Sequence, residues 1–219
     1  EEIVAGDELL GKNIPVSAII YNMPESHLVP ALFFNEEMNK DLLAIVHGDL
    51  RKDVVLWERI LNLDMYNIYL IPGDIHRFLD RKFSPAQYKH FYSLWMVLWQ
   101  EQEHATETIE VIFYPNELLV MLCRNNSIEL VQTYAYETAE DVSYHVLNIY
   151  NRYNLSPLAT PLKVSGMIAT DSFMYEELLK YFMLVEIVSP PKKLELLPEL
   201  DSFPAHFFAP ILKLTTCVL

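Results

Sequence analysis

Three β-rich runs, residues 109–114, 118–124 and 128–136, succeed one another with only Pro115-Asn116-Glu117 and Asn125-Asn126-Ser127 between them. Gaps that short and that rich in turn formers permit only hairpins, so the runs must form an antiparallel meander. The stretch after the meander is equally ordered. Thr138 with Asp141 three residues on predicts a capped helix start, and Val142, Val146, Ile149, Tyr150 and Tyr153 recur at helical spacing as far as Asn154. Beyond the loop of Pro157 and Pro161, residues 162–169 read as a short buried strand. A helix from Asp171 carries Leu178, Leu179, Phe182 and Met183, and residues 185–188 read as another strand. After the break at Pro190-Pro191, a terminal helix opened by Pro204 covers 203–214. The order βββαβαβα fixes an α/β class for this half.

The first half reads as a helix over 1–10, a strand over 15–21, an extended run over 27–34, a helix over 35–47 and a hairpin of 54–61 with 65–71. Helix signals return at Pro72-Gly73-Asp74. Ser84-Pro85-Ala86-Gln87 then combines an N-cap, a first-turn Pro and a Gln three after the cap. It predicts a helix with Tyr88, Phe91, Tyr92, Trp95, Leu98 and Trp99 on one core-facing side. Val16-Ser17-Ala18-Ile19-Ile20 matches Val164-Ser165-Gly166-Met167-Ile168 at an offset of 148, which suggests an internal repeat. If so, the first half lacks a meander of its own, which would lie before Glu1. The expected domains are therefore 1–107, incomplete at its N-terminus, and 108–219.

Composition narrows function by exclusion. A length of 219 residues with 52% hydrophobic and 21% charged residues is globular, not disordered. Thirty acidic against sixteen basic residues give a net charge of −14, which repels nucleic acid and anionic membranes. The longest apolar run, 92–99, falls far short of the ~20 residues of a membrane span. Cys123 and Cys217 sit in apolar stretches, as thiols of a reducing compartment do, so a cytoplasmic location is expected.

More specifically, Leu28-Val29-Pro30-Ala31-Leu32-Phe33 followed by Glu36-Glu37, the run Asn67-Ile68-Tyr69-Leu70-Ile71-Pro72, and Phe203-Pro204-Ala205-His206-Phe207-Phe208 resemble an uncharacterised bacterial family, domain of unknown function 3822. The element order is similar to the ribonuclease-H-like half of the actin-like ATPase superfamily. The resemblance implies two ribonuclease-H-like halves in an actin-like arrangement, without an established reaction. In ATPase members of that superfamily two Asp-x-Gly hairpin turns hold the phosphates, and a Gly-Gly loop after a strand meets the adenosine.

Neither motif is found in the second half. Its hairpin turn, Tyr114-Pro115-Asn116-Glu117, has no Gly and no Asp, and Pro115 offers no N–H to a phosphate. The adenosine-type loop, 165–170, has the single Gly166, which is the one candidate cofactor-contacting residue in the cleft between the halves. Gly166 also reads as a close-packing glycine in a buried strand. With glycines only at 6, 11, 48, 73 and 166, no phosphate-cradling glycine loop exists, and no cofactor is expected.

Other chemistry is no better supported. Glu101, Glu103, His104, Glu107 and Glu110 could ligate a metal but read as a solvated helix end, and no metal is expected. His76 and Asp80 form an i,i+4 pair. His90 and His145 read as half-buried packing residues, and His206 as part of a docked C-terminus. Cys123 lies in an apolar strand that raises a thiol pKa, against a nucleophilic role. Ser165 lacks a nucleophile elbow. Thirteen Tyr, three Trp and eleven Phe favour protein association, with Met174-Tyr175 and Tyr134 to Tyr136 as candidate exposed positions. The expectation is a non-catalytic protein-interaction scaffold with a degenerate cleft and an unknown protein partner. The alternative is a nucleotide-binding actin-like ATPase whose phosphate motif lies upstream of residue 1; a metal-dependent nuclease finds only Glu110 on its first strand.

Overall fold

The computed structural model describes residues 6–7, 15–60, 62–100, 107–191, 200 and 202–218, and the chain divides into two units between Val97 and Leu98. The first contains β1 (Ala18–Tyr21), β2 (Ser26–Pro30), single 3-10 turns at Ala31–Phe33 and Glu36–Met38, α1 (Asn39–His47), β3 (Asp53–Ile60), β4 (Met65–Pro72), α2 (Gly73–Phe83) and β5 (Gln87–His90). It also contains most of α3 (Phe91–Gln100). The expected helix over 1–10 lies almost wholly outside the described residues.

Strands β2, β4 and β3 form an antiparallel sheet in that order. Alternate residues of β4 serve two cores. Ile68 and Leu70 pack with Leu43 of α1 and with Leu50, while Tyr69 and Ile71 pack with Tyr21 of β1. Burial on both faces explains why this strand reads as an almost unbroken apolar run. β1 pairs with β5 in parallel, from Ala18↔Gln87 to Tyr21↔His90.

This pairing corrects one expectation. Ser84-Pro85-Ala86-Gln87 does not open a helix; Gln87 donates its N–H to the Ser17 carbonyl at 2.9 Å and begins β5 instead. A tertiary strand partner overrides the local cap signal, and the helix starts only at Phe91. Its stripe then holds, because Phe91, Tyr92, Trp95, Leu98 and Trp99 are all buried. The extended run expected over 27–34 ends at Pro30, and the helix expected from 35 becomes one 3-10 turn before α1.

The second unit matches its expected order closely. It contains β6 (Glu107–Phe113), β7 (Glu117–Arg124), β8 (Ser127–Ala135), α4 (Ala139–Arg152), β9 (Leu162–Gly166), α5 (Phe173–Leu179), β10 (Val185–Ile187) and, after a 3-10 turn at Ala205–Phe207, α6 (Ala209–Val218). The sheet order is β10-β9-β6-β7-β8, with β6 to β8 antiparallel and β9 and β10 parallel to β6. Asn125 and Asn126 both take positive φ, 49° and 60°, the backbone that a two-residue hairpin loop requires and Asn tolerates. The predicted capping box forms in both directions: Asp141 N–H donates to Thr138 Oγ1 at 3.2 Å, and Thr138 N–H to Asp141 Oδ2 at 2.9 Å.

One face of this sheet, through Ile109, Val111, Phe113, Leu118, Val120, Leu122, Leu162 and Val164, packs on Val142, Val146, Ile149 and Tyr150 of α4 and Leu178 of α5. Met174, Tyr175, Tyr134 and Tyr136 pack against this core, so these candidate exposed positions are half-buried packing residues. The repeat offset of 148 places Ala18 on Gly166, and these are the only strand residues it superposes, because β1 begins where β9 ends. The two strands share a parallel partner later in the sequence, β5 for β1 and β10 for β9.

Gly166 has φ +80°, and a Cβ there would stand 2.4 Å from the Phe113 carbonyl oxygen and 2.9 Å from its nitrogen. Gly48 also has positive φ but open space around it. Gly166→Ala is therefore expected to lower unfolding free energy by ~2 kcal/mol or more, and Gly48→Ala by the smaller backbone cost alone. Urea unfolding of both variants checks the order.

Candidate functional site

Register gathers the two loops of interest at one end of the second unit's sheet. Phe113, the last residue of β6, lies beside Gly166, the last of β9. The β6–β7 turn and the β9–α5 loop consequently emerge side by side from the carboxyl ends of two parallel strands, where open α/β sheets place ligands.

The turn's backbone is already engaged. Tyr114 N–H donates to the Glu117 carbonyl at 2.8 Å, Pro115 has no N–H, and the Asn116 carbonyl accepts from Tyr136 N–H at 3.0 Å. Tyr136 also donates its hydroxyl to the Tyr114 carbonyl at 2.5 Å. In the β9–α5 loop Met167 N–H reaches the Phe113 carbonyl at 2.8 Å and Ile168 N–H the Gly166 carbonyl at 2.8 Å. His206, buried, donates from Nε2 to the Ile168 carbonyl at 2.6 Å, which fastens the C-terminal segment as expected. A phosphate needs several converging N–H donors, and those of Tyr114, Met167 and Ile168 are already engaged.

A connected buried polar network lies in the first unit. Glu58 and Asn67 are cross-strand partners on β3 and β4. Asn67 accepts from Ser26 Oγ at 2.6 Å and donates to Ser93 Oγ at 3.1 Å. Glu58 accepts from His90 N–H at 2.7 Å and lies 3.4 Å from the Lys89 ammonium. His90 is fully buried rather than half-buried, donating from Nε2 to the Met23 carbonyl at 3.0 Å and accepting Tyr92 N–H at Nδ1, 3.2 Å. Burial is the main cause that pushes its pKa down to about 4. The network joins both sheets of the unit, β5 and the start of α3, so it serves packing specificity. It was legible in part: Glu58 and Asn67 each interrupt an otherwise apolar every-second-residue row.

The other candidates do not converge. Tyr21 hydroxyl meets His76 Nδ1 at 2.9 Å, and Asp80 accepts from the Tyr88 hydroxyl at 2.6 Å, so His76 and Asp80 have separate partners. Burial, then the Asp80 charge, pushes Tyr21 up to about 12. Cys123 is buried, and burial raises its thiol pKa far above neutrality, which removes a thiolate nucleophile. His145 is half-buried beside the Ala135 carbonyl, 3.2 Å away. Glu107 pairs with Arg124 at 3.0 Å, and the Arg124 guanidinium also donates to the Tyr153 carbonyl. Glu101, Glu103 and His104 lie outside the described residues. Among the described residues no group of three or more His, Cys, Asp and Glu side chains could hold a metal ion, and no helix is long and apolar enough to cross a membrane.

Comparison with known proteins gives a family and a fold. The model of a protein family of unknown function, DUF3822, matches residues 2–185. No curated protein matches the sequence. A Bacteroides thetaiotaomicron protein with actin-like ATPase fold and unknown function is 14% identical, with a TM-score of 0.76 over 85% of this chain and 74% of that one. The PilM–PilN type IV pilus biogenesis complex is 12% identical, with a TM-score of 0.55 over 92% of this chain and 80% of that one. At these identities the likeness speaks for fold alone.

The buried His90 makes stability depend on pH. Its folded-state pKa is depressed, so the unfolded chain binds the proton more tightly between about pH 6.5 and pH 4. The stability it contributes is full above about pH 6.5 and is lost as pH falls, by about 3 kcal/mol at pH 4. His27, whose pKa is also lowered, chiefly by burial, adds in the same direction. Urea midpoints measured from pH 7 to pH 4.5 should fall steadily, and the His90 ring resonances should remain those of the neutral form at pH 5.

Proposed function

The chain belongs to the DUF3822 family of proteins of unknown function, and from its actin-like fold we propose that it is a non-catalytic scaffold for protein association, whose nucleotide cleft is degenerate. In this reading the second unit is a ribonuclease-H-like half, and the β1–β5 pair of the first is the matching parallel pair of another. Support for the finer fold comes from the strand order β10-β9-β6-β7-β8, a meander with two parallel strands added beside its first member.

The observation that carries the functional reading is the β6–β7 turn. Its Tyr114 N–H is spent on Glu117 and Pro115 has none, and its carbonyls at Tyr114 and Asn116 are taken by Tyr136. An actin-like ATPase needs that turn open to phosphate, with an Asp and Mg²⁺ nearby to stabilise the charge of the transferring group. Gly166, which the sequence offered as a cleft residue, is a close-packing position in this proposal. The titratable groups support it further: His76, His90, His206 and Cys123 each satisfy a local partner or lie in apolar surroundings. One structural neighbour is the PilM–PilN type IV pilus biogenesis complex, a similar fold found in a complex of proteins.

The test is turnover. The full natural protein, incubated with Mg-ATP, should release no phosphate above a protein-free blank. Sustained phosphate release by the pure protein, lost on substitution of a residue beside the β6–β7 turn, would overturn the scaffold reading.

A further inference from the structure

Helix α1 carries an apolar side that faces solvent among the described residues. Met38, Leu42, Ile45 and Val46 fall on one arc of the helix, because 38, 42 and 45–46 are one turn apart. All four are exposed, Ile45 at 82%, and the 3-10 turn at 31–33 adds Leu32 at 86% and Phe33 at 73%. The neighbouring arc, with Asn39 and Leu43, is the one buried on the sheet. A solvent-facing helix of nine residues does not require apolar side chains at these positions, and contiguous patches of this kind mark binding surfaces.

At the carboxyl end of the same helix lies a cavity of about 250 Å³ lined by Met23, Glu25, His47, Asp49, Leu50, Asp53, Leu70 and Pro72. Its lining mixes apolar side chains with three carboxylates and one imidazole. His47 Nε2 stands 3.0 Å from His27 Nε2, so the imidazole is held toward β2 by a hydrogen bond. Arg51, two residues from Asp49, is exposed and bound to that carboxylate by a double hydrogen bond from its guanidinium, at 2.8 and 2.5 Å. Over residues 25–53 the acids Glu25, Glu36, Glu37, Asp41, Asp49 and Asp53 outnumber the bases Lys40, Arg51 and Lys52 by two to one.

We propose that the α1 face and the cavity at its end form one docking surface for a basic amphipathic helix of another protein. The partner's apolar stripe would lie along Leu42, Ile45 and Val46, and a Lys or Arg would enter the cavity toward Glu25 and Asp53. Charge complementarity selects this occupant. A second copy of a chain carrying −14 brings the same acidic rim to itself, and an anionic membrane meets the same repulsion. A stem that is apolar up to its cationic tip matches a cavity lined by both apolar and acidic side chains. This partner class deepens the scaffold function proposed above and rests on it.

The probe is a fluorescein-labelled Leu/Lys peptide with leucines at i, i+3, i+4 and i+7, beside a Leu/Glu peptide of the same pattern, titrated with the full chain and read by anisotropy. The full chain should bind the Lys peptide saturably and the Glu peptide not at all. Ile45→Asp, at an exposed position where folding is undisturbed, and Asp53→Asn should each weaken the Lys peptide by roughly tenfold. Binding that Ile45→Asp leaves unchanged, or equal binding of both peptides, would overturn the proposal. So would a dimer, or attachment to phosphatidylserine vesicles, that Ile45→Asp abolishes, since the face would then have another occupant. Phosphate release from ATP would sink the scaffold reading without touching these peptide affinities, so the two failures are separable.

Discussion

Strand β6 sets the geometry of everything around it in the second unit. It is paired on both sides, antiparallel to β7 and parallel to β9, and it is buried from Thr108 to Phe113. A strand buried on both faces cannot shift register by one residue without turning its Ile109, Val111, Phe113 row out of the core. That fixed register sets Phe113 against Gly166, and the contact leaves no room for a side chain at 166. It also sets the positions of the β6–β7 turn and of the β9–α5 loop.

In the proposed reading, function turns on what those loops carry. An actin-like fold is compatible with many activities, and the same sheet end could cradle phosphates if its turn were built of glycine and aspartate. Here Pro115 removes one donor, Tyr114 folds its own N–H back to Glu117, and Tyr136 closes over the carbonyls. Each is a gain for local stability, since satisfied backbone groups in a partly buried turn avoid a desolvation cost of about 1–3 kcal/mol each. Of the groups involved, the Tyr114 N–H and the N–H that Pro115 lacks are the ones a phosphate could use. Surface chemistry is correspondingly richer in the first unit, where α1 keeps apolar residues in water beside an acidic cavity.

The sequence was most legible where local and tertiary preferences agree. The β6–β8 meander, the Thr138 capping box and the helix of Val142 and Val146 were readable because turn chemistry, capping and periodicity all favour the structure that forms. It was least legible at Ser84 to His90, where a strong helix-start pattern yields to a strand whose partner, β1, lies almost seventy residues earlier. His90 was underestimated for a related reason: its burial depends on Met23, Glu58 and Tyr92 arriving together from separate elements. The α1 face could not be told from core by sequence, because Leu42, Leu43, Ile45 and Val46 are all apolar and only the fold decides which of them, Leu43, is covered.

The central proposal, that the protein does not hold nucleotide, is tested most directly by thermal unfolding of the full natural protein with and without millimolar Mg-ATP, Mg-ADP and Mg-GTP. A ligand at 100 times its Kd stabilises the folded state by ~2.7 kcal/mol, a shift of several degrees for a chain of this size. Superimposable melting curves with all three nucleotides are the predicted result. A saturable upward shift with any one of them would contradict it.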